Sequence, residues 1–431
     1  MLALQSNKAY HFLLVNCNDY KNGVSVILSS QCIQALASHF QQAKISLLLH
    51  SSMQDFFLHN PHVNQIFCID TNRNLAKDLK HANINISLSL VSDKQSTIAL
   101  FRSGIKARIG VFSNLHSLLF NYKIKQKKAF DKHEVTYNLD LLKFLQCRQF
   151  FYPKLYLKLS DIAHAQEIVA KKFGLDSIND KGYIVICPSH GLNEIGWKAR
   201  NFFIIANAIA PLHNVLLLAA RDEIEGYKAL LEQFPNLSQN NLFLQSQDTK
   251  SKHKEITQIL ALIHLSRLFI ANNNTLLHAA AALDVSTFGI LPYKNSLNPY
   301  RYSPISQNKK HVVCTPFGIF KPQNSQEDSL HGLNMDSIAP DIVLSILQAK
   351  FFPEERLFIQ PINSIDNSDK QKQEDNKEEK EENSKNLLKQ DSIPQDNKLQ
   401  KSENMGQNSL LDIQDSGFTN NVKTSIIDER G

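Results

Sequence analysis

The chain has 431 residues, with 42% hydrophobic and 20% charged side chains and six cysteines. This length predicts two or three domains, and the apolar runs are too short for a membrane-spanning helix, which needs roughly 20 residues. The first ten residues lack the apolar stretch and cleavage site of a secretory signal, so we expect a cytoplasmic protein. The cysteines form no C-x-x-C pair, and we interpret them as buried thiols rather than disulfides or zinc ligands.

The charge of the chain changes sign at about residue 363. Residues 363–431 carry 10 Lys and Arg against 15 Asp and Glu, a net charge of −5, whereas residues 1–362 carry 37 against 26, a net charge of +11. The acidic segment is rich in Asn, Gln, Lys and Glu and cannot bury enough apolar surface to offset chain entropy, so we predict a disordered tail. The basic remainder predicts an anionic partner: nucleic acid, a nucleotide, a phosphorylated sugar or an anionic membrane surface.

From residue 11 onward, short apolar runs alternate with longer amphipathic stretches. Because predicted strands and helices alternate, we expect a parallel sheet that is covered by helices on both faces. The predicted strands are His11–Asn16, Ile45–His50, Ile66–Asp70, Ile86–Val91 and Ala107–Phe112.

The same alternation begins again near residue 183. We therefore predict two doubly wound, Rossmann-like α/β domains at residues 1–155 and 181–335, joined by residues 156–180 and followed by a closing helix within 336–362. Ligands of such sheets bind beyond the carboxyl ends of the strands, so we expect a site in a cleft between the domains. The predicted strands are Tyr183–Pro188, Asn214–Ala220, Leu242–Gln245, Leu268–Asn272 and Ser286–Leu291, and the predicted helices are 199–209, 222–234, 255–265, 275–283 and 340–350.

The sequence has neither G-x-G-x-x-G after the first strand nor a P-loop motif, which argues against a dinucleotide oxidoreductase and a P-loop NTPase. A phosphate site is predicted instead where Leu268–Asn272 leads through Asn273 and Asn274 into a helix beginning at Thr275. A capped helix start would leave its first amides facing the cleft, where the helix dipole favours a diphosphate. His278, in the first turn, could donate a hydrogen bond to the same group. The simpler interpretation is a capped turn beside a partly buried histidine.

Four segments in succession resemble the heptosyltransferase family of glycosyltransferases. HNPHVNQIFCID is similar to the family's NP-x-V-D-x-V segment, and KARIGVF followed by HEVTYNLDLLKFL is similar to its R-x-G and H-x-V-x-x-N-x-x-L-L segments. ICPSH followed by WKARNFFIIANAI resembles the opening of the donor domain. LFIANNNTLLHAAAALDVSTFGIL is similar to the family's x-I-G-x-D-[ST]-G-x-x-H-x-A-A-A-L-x-x-P segment. Together these segments extend the resemblance over about residues 11–350.

The resemblance implies a GT-B fold, in which two Rossmann-like domains face a cleft. It also implies an inverting, metal-independent transfer of heptose from ADP-heptose to the lipopolysaccharide inner core. ADP-heptose is then a substrate, and no cofactor is expected. Because the acceptor is an anionic lipid, we expect a protein peripheral to the cytoplasmic face of the inner membrane. We expect no nucleic-acid partner, since the sequence shows no helix-turn-helix pattern or aromatic-interleaved basic motif.

The resemblance also assigns site residues, although the chain departs from the family at three positions. The family's catalytic Asp falls on Val24-Ser25, so Asp19 in the same loop becomes the candidate base, with Ser25 at the family's position. The family's Lys before Trp falls on Ile195, and its Asp-[ST]-Gly falls on Asn273, Asn274 and Thr275. The predicted donor-binding residues are Ser189, Lys198, Glu223, Asn273, Asn274, Thr275 and His278. The predicted acceptor-binding residues are Arg108, Lys123 and Lys125, in a basic group with Arg102, Lys106, Lys127 and Lys128.

These departures leave two other interpretations open. A general base typically contributes roughly 10²–10⁴-fold in rate, so the chain could be a degenerate relative that binds sugar nucleotide, core precursor or a partner without turnover. An epimerase acting on a nucleotide sugar would need several acidic and histidine groups in one cleft, for which only His190, Glu194 and His278 are candidates. The position of Asp19 separates these interpretations, because a carboxylate in the cleft favours a transferase.

Overall fold

The computed structural model describes residues 2, 4–126, 132–174, 182–190, 194–220, 222–244, 252–294, 297–321 and 330–359. The tail predicted at 363–431 and the predicted basic residues Lys127 and Lys128 lie outside the described residues. Within the described part of the chain, no helix is both long enough and apolar enough to cross a bilayer.

The first sheet has six parallel strands in the order β3-β2-β1-β4-β5-β6. The strand order reverses between β1 and β4, which is the point where doubly wound sheets bind their ligands. The strands are β1 (His11–Asn16), β2 (Lys44–Leu49), β3 (Val63–Cys68), β4 (Ile86–Ser89), β5 (Ala107–Val111) and β6 (Tyr122–Ile124), and the helices are α1 (Val24–His39), α2 (Leu75–His81), α3 (Lys94–Arg102) and α4 (Glu134–Leu142).

The second sheet has seven strands in the order β13-β12-β11-β10-β7-β8-β9, and only the short β13 is antiparallel to its neighbour. Its order reverses between β7 and β10. The strands are β7 (Tyr183–Cys187), β8 (Asn214–Ala219), β9 (Leu242–Leu244), β10 (Leu268–Asn272), β11 (Ser286–Ile290), β12 (His311–Thr315) and β13 (Gly318–Ile319). The helices are α5 (Leu159–Phe173), α6 (Ala199–Ile209), α7 (Ile224–Leu231), α8 (Lys252–His264), α9 (Thr275–Ala282), α10 (Pro299–Tyr302) and α11 (Pro340–Phe351).

Helix α1 lies between the two halves of the protein. Its buried residues point in every direction, because it packs on the first sheet, on α4 and on α9 of the second half. Gln31 in α1 is fully buried and donates to the Val135 carbonyl at 3.1 Å. A helix with buried residues on all sides is typical of such a covered position. Farther along, the chain crosses from the first half to the second, and at this crossing the Leu155 amide donates to the Ala282 carbonyl at 3.0 Å.

Helices α4 and α10 form a second contact between the halves. The Arg301 guanidinium donates from Nε to Glu134 Oε2 at 2.6 Å, and both side chains are largely buried. The His133 ring bonds the Ser303 carbonyl through Nε2 at 2.8 Å. Separating α4 from α10 would leave two largely buried charges without a partner, which is unfavourable. The ion pair therefore keeps the two helices in contact.

The predicted α/β fold of two doubly wound sheets is confirmed, and each predicted strand is present with ends shifted by a few residues at most. Several elements were not predicted, and two of them are substantial. Residues 156–180 were interpreted as a connection, but they contain the 15-residue helix α5, and strand β12 at His311–Thr315 was not recognised.

Two histidines of the second half, the buried His278 and the half-buried His311, have lowered pKa values. Burial lowers the pKa of His278 in α9 to about 3, with a smaller contribution from His133 and His311. Burial also lowers the pKa of His311 in β12 to about 4, although the Asp284 carboxylate opposes this shift. Both rings are therefore neutral in the folded protein at pH 5, whereas their ordinary pKa is 6.5.

We predict that these histidines reduce the free energy of unfolding in mild acid. Between pH 6.5 and about 4 the unfolded chain binds their protons and the folded chain does not, so stability falls as the pH falls. Each buried ring contributes up to about 1.4 kcal/mol per pH unit. Urea unfolding of the protein and of His278→Gln and His311→Gln variants at several pH values measures this, and each variant should show a shallower pH dependence. A pH dependence unchanged in both variants would contradict the prediction.

Candidate active site

The loop after β1 forms one side of the site. Asn16, the last residue of β1, is buried, and Asn18 is half-buried. Both side-chain amides donate to the Ser25 hydroxyl, Asn18 at 2.7 Å and Asn16 at 3.4 Å. Among the described residues, no carboxylate or imidazole is hydrogen-bonded to this hydroxyl. Ser25 is therefore held by amides and not activated as a base or nucleophile.

Asp19 is the one carboxylate between residues 16 and 25. It caps the short 3-10 turn Tyr20–Asn22, with Oδ1 accepting from the Asn22 backbone amide at 3.1 Å and from the Asn22 side chain at 3.0 Å. The residue is half-buried at the carboxyl edge of the first sheet. Because both hydrogen bonds use Oδ1, Oδ2 is the oxygen that could take a proton from a substrate.

The start of helix α9 lies against this loop. Asn274 caps the helix by accepting from the Leu277 amide at 3.0 Å, as predicted for a capping residue. Thr275 Oγ1 donates to the Tyr20 carbonyl at 2.7 Å, and Thr275 and Leu276 are only 2% and 5% exposed. The first amides were expected to face an open cleft, and the structure shows them covered. The Thr275 hydroxyl, at the position where the family has Gly, makes this contact possible.

Two other predicted residues, His278 in α9 and Asn273 just before this helix, are buried in the interior. His278 is 1% exposed, and its Nε2 lies 2.9 Å from Asn273 Oδ1. Asn273 itself is fully buried. The structure therefore pairs these two residues with each other, beneath Asn274 and away from solvent.

Asn272, which was not predicted as a site residue, organises the loop after β7. Its Oδ1 accepts from the Trp197 amide at 2.8 Å, and its Nδ2 donates to the Ser189 carbonyl at 3.0 Å and to the Trp197 carbonyl at 3.1 Å. Gly196 lies directly above it, where a Cβ would be 2.7 Å from Asn272 Nδ2. This amide thus fixes both ends of the loop that borders the second half of the site.

Ser189 and Glu223, two of the predicted donor-binding residues, lie together. Ser189 Oγ donates to Glu223 Oε2 at 2.6 Å, and the Ala220 amide donates to the same oxygen at 3.0 Å. Glu223 follows β8, at the strand end where doubly wound domains place the acidic residue that binds a ribose. The geometry is therefore suited to a nucleoside.

The lysines near the site are engaged in exposed ion pairs. Lys198 Nζ lies 2.9 Å from Asp336 Oδ2, near the start of α6. Lys21, beside Asp19, lies 3.5 Å from Glu194, which belongs to the second half. Exposed pairs of this kind contribute little to stability, so both lysines can exchange their partner for a phosphate.

The predicted acceptor-binding residues lie at different edges of the first sheet. Arg108 is near the amino end of β5, where its Nε donates to the Leu119 carbonyl at 2.9 Å. Arg108 therefore lies away from the carboxyl edge and apart from the other residues of the site. Lys123 is exposed in β6, and Lys125 follows β6 with its Nζ 5.7 Å from the centre of the Phe112 ring. Of the three predicted residues, Lys125 therefore lies nearest to the carboxyl edge.

The sequence profile of one family matches residues 72–330, and that family is described as glycosyltransferase family 9 (heptosyltransferase). A Haemophilus influenzae protein named "Putative glycosyltransferase" is 27% identical over 283 residues, which is 64% of this chain and 78% of that protein.

Solved structures of similar fold include a family 9 glycosyltransferase from Veillonella parvula, with a TM-score of 0.62 and 13% identity over 79% of this chain and 96% of that one. The ADP-heptose lipopolysaccharide heptosyltransferase II of E. coli has a TM-score of 0.61 and 18% identity over 80% of this chain and all of that one. E. coli heptosyltransferase WaaC with ADP has a TM-score of 0.50 and 14% identity, over 79% and 97%. At these identities the structures show a shared fold.

We predict that Gly196→Ala displaces the Asn272 side chain and destabilises the protein. Overpacking of this kind costs about 1–3 kcal/mol. Trp197 is the single tryptophan of the chain, so its fluorescence reports the displacement directly in equilibrium unfolding. The matched control is Gly226→Ala in α7, where a Cβ meets nothing within 4 Å and alanine should be neutral or stabilising. Equal stability of both variants would contradict the prediction.

Proposed function

This chain belongs to glycosyltransferase family 9, the heptosyltransferase family, and we propose that it transfers a heptose from ADP-heptose to the lipopolysaccharide inner core. In this proposal the protein works at the cytoplasmic face of the inner membrane and needs no metal. The reaction inverts the configuration at the anomeric carbon of the sugar. The donor class is supported by E. coli heptosyltransferase WaaC, which has been solved with ADP and with ADP-2-deoxy-2-fluoro heptose.

One observation carries the proposal. The loop bearing Asp19, from the carboxyl edge of the first sheet, meets the capped start of α9, from the carboxyl edge of the second sheet, through the Thr275–Tyr20 hydrogen bond. A base and a diphosphate-binding helix start thus come from different halves and meet at one point. Transfer between a nucleotide sugar and an acceptor requires this combination.

Asp19 is the proposed general base. As the acceptor oxygen bonds to the anomeric carbon, its proton passes to Asp19 Oδ2, the bond from the anomeric carbon to the phosphate oxygen breaks, and ADP leaves. In this scheme the side-chain amide of Asn274, which is half-buried at the second edge, donates to the departing diphosphate. Glu223, whose Oε2 accepts from Ser189, accepts hydrogen bonds from the ribose hydroxyls.

Donor binding in this scheme requires a movement of the loop. Thr275 and Leu276 are covered in the structure, so the segment 17–22 must leave the helix start before a diphosphate reaches its amides. The ion pair between Lys21 and Glu194 is exposed and opposes this opening only weakly. Opening therefore breaks the Thr275–Tyr20 hydrogen bond, together with the bond from the Tyr20 amide to Ser52 Oγ at 3.0 Å.

We predict that Asp19→Asn lowers the rate of heptose transfer by at least about 100-fold, because asparagine keeps the cap but cannot accept a proton. The assay uses purified protein, ADP-heptose and a truncated core acceptor, and the affinity for ADP-heptose should stay unchanged. The matched control is Asp93→Asn, since Asp93 also caps a helix at the carboxyl edge of the first sheet, accepting from the Ser96 amide at 2.7 Å.

Three other outcomes of this assay would contradict part or all of the proposed function. A wild-type rate in Asp19→Asn would remove Asp19 from the mechanism. Nucleotide-sugar binding by the unmodified protein without transfer would favour the degenerate relative. An absence of binding to any nucleotide sugar would contradict both functions.

We also predict that Thr275→Ala strengthens ADP binding, because the loop then leaves the helix start at a lower cost. A hydrogen bond contributes about 0.5–1.5 kcal/mol, so the dissociation constant should fall by a factor of about 2–12. Thr275→Ser keeps the hydroxyl and should bind as the unmodified protein does. Calorimetric titration measures both, and weaker binding by Thr275→Ala would show that the hydroxyl contacts the nucleotide instead.

A further inference from the structure

Three large apolar side chains project from one part of the first half into solvent. Phe101 at the end of α3 is 52% exposed, and Leu115 and Leu118 in the short 3-10 helix Leu115–Leu119 are 82% and 54% exposed. This 3-10 helix packs against α3, so the three residues belong to neighbouring elements. Single exposed apolar residues are ordinary, but three on adjoining elements form a patch that calls for a partner.

The surroundings of this patch are cationic. Residues 94–126, which include α3, β5, the 3-10 helix and β6, contain six Lys and Arg and no Asp or Glu. Lys94, Arg102 and Lys106 are exposed, and none of them forms an ion pair with another described residue. The adjacent carboxylate, Asp93, is already used to cap α3. We call Phe101, Leu115 and Leu118 with these three cations the apolar-basic patch.

The patch extends to the edge of the sheet where the site lies. The Asn114 side-chain amide donates to the Ser92 carbonyl at 3.3 Å, and His116 Nε2 lies 3.1 Å from the same oxygen. These contacts tie the 3-10 helix to the segment after β4, at the carboxyl edge of the first sheet. Asp19 follows β1 at the same edge.

We propose that the apolar-basic patch docks the protein on an anionic lipid bilayer. The leucines and Phe101 enter the boundary between headgroups and acyl chains, and Lys94, Arg102 and Lys106 bind the phosphate groups around them. Charge favours a bilayer over an acidic protein surface, because exposed apolar side chains on elements that also carry exposed cations and no carboxylate match an apolar layer covered by anionic headgroups. The docking itself does not depend on the proposed function. The proposed function adds only that the bilayer carries the acceptor, so that docking brings a lipid-borne sugar to the carboxyl edge.

The test is sedimentation of the full chain with phosphatidylcholine vesicles prepared with and without phosphatidylglycerol. Binding should require phosphatidylglycerol and decrease between about 0.05 and about 0.5 M salt, because counterions screen exposed cations. The double variant Leu115→Ser, Leu118→Ser should bind at least about tenfold more weakly. The matched control is Leu159→Ser, because Leu159 is 84% exposed on α5 and lies outside the patch. Urea unfolding verifies that each variant is folded.

Three results would overturn the inference. The first is equal vesicle binding by the double variant and the unmodified protein, and the second is equal binding to vesicles with and without phosphatidylglycerol. The third is a dimer in light scattering that the double variant converts to a monomer, which would assign the patch to a second copy of the chain. Heptose transfer to a water-soluble, deacylated core acceptor separates the docking proposal from the proposed function. The double variant should retain this activity, because a soluble acceptor does not require membrane binding. Vesicle binding without any transfer would contradict the proposed function and leave the docking surface in place.

Discussion

The packing of α1 against α9 is the contact on which the arrangement of the molecule depends. Helix α1 follows β1, and helix α9 follows β10. Each helix begins at the carboxyl edge of its own sheet. When the two helices pack together, the two carboxyl edges face each other, and the loops after β1 and β10 meet. The position of Asp19 opposite the start of α9 therefore follows from the burial of two apolar helices.

The sequence allowed the sheets, most of their helices and a capped start of α9 to be predicted. Buried parallel strands are continuous apolar runs, and HFLLVN, YIVIC and LFIAN are clear examples of this pattern. The cap was predictable because a side-chain oxygen just before an apolar helical run is a local signal, and the structure assigns it to Asn274. Helix α5 was missed because its segment was interpreted as a connection between domains, although the apolar residues Ile162, Ala165 and Val169 follow a helical spacing.

The closure of the site was not predictable, because it depends on contacts between residues far apart in the chain. Thr275 and the Tyr20 carbonyl are 255 residues apart, and no pattern in either segment indicates that they meet. Asn272 was predicted only as the end of a strand. In the structure it ends β10, and its side-chain amide also forms hydrogen bonds with both ends of the loop after β7. Arg108 shows a similar limit of sequence reasoning, since the resemblance implies that it contacts the acceptor, whereas in the structure its guanidinium binds the Leu119 carbonyl.

Helix α9 is fixed at both ends. Its last turn is held where the Leu155 amide bonds the Ala282 carbonyl, at the crossing between the halves, and its first turn is held by the Thr275 hydroxyl. All eight of its residues are buried, so the helix cannot tilt without disturbing the packing around it. The loop after β1 is less covered, since Tyr20, Lys21 and Asn22 are exposed. Any exposure of the helix start therefore comes from a movement of this loop, while α9 and both sheets keep their positions.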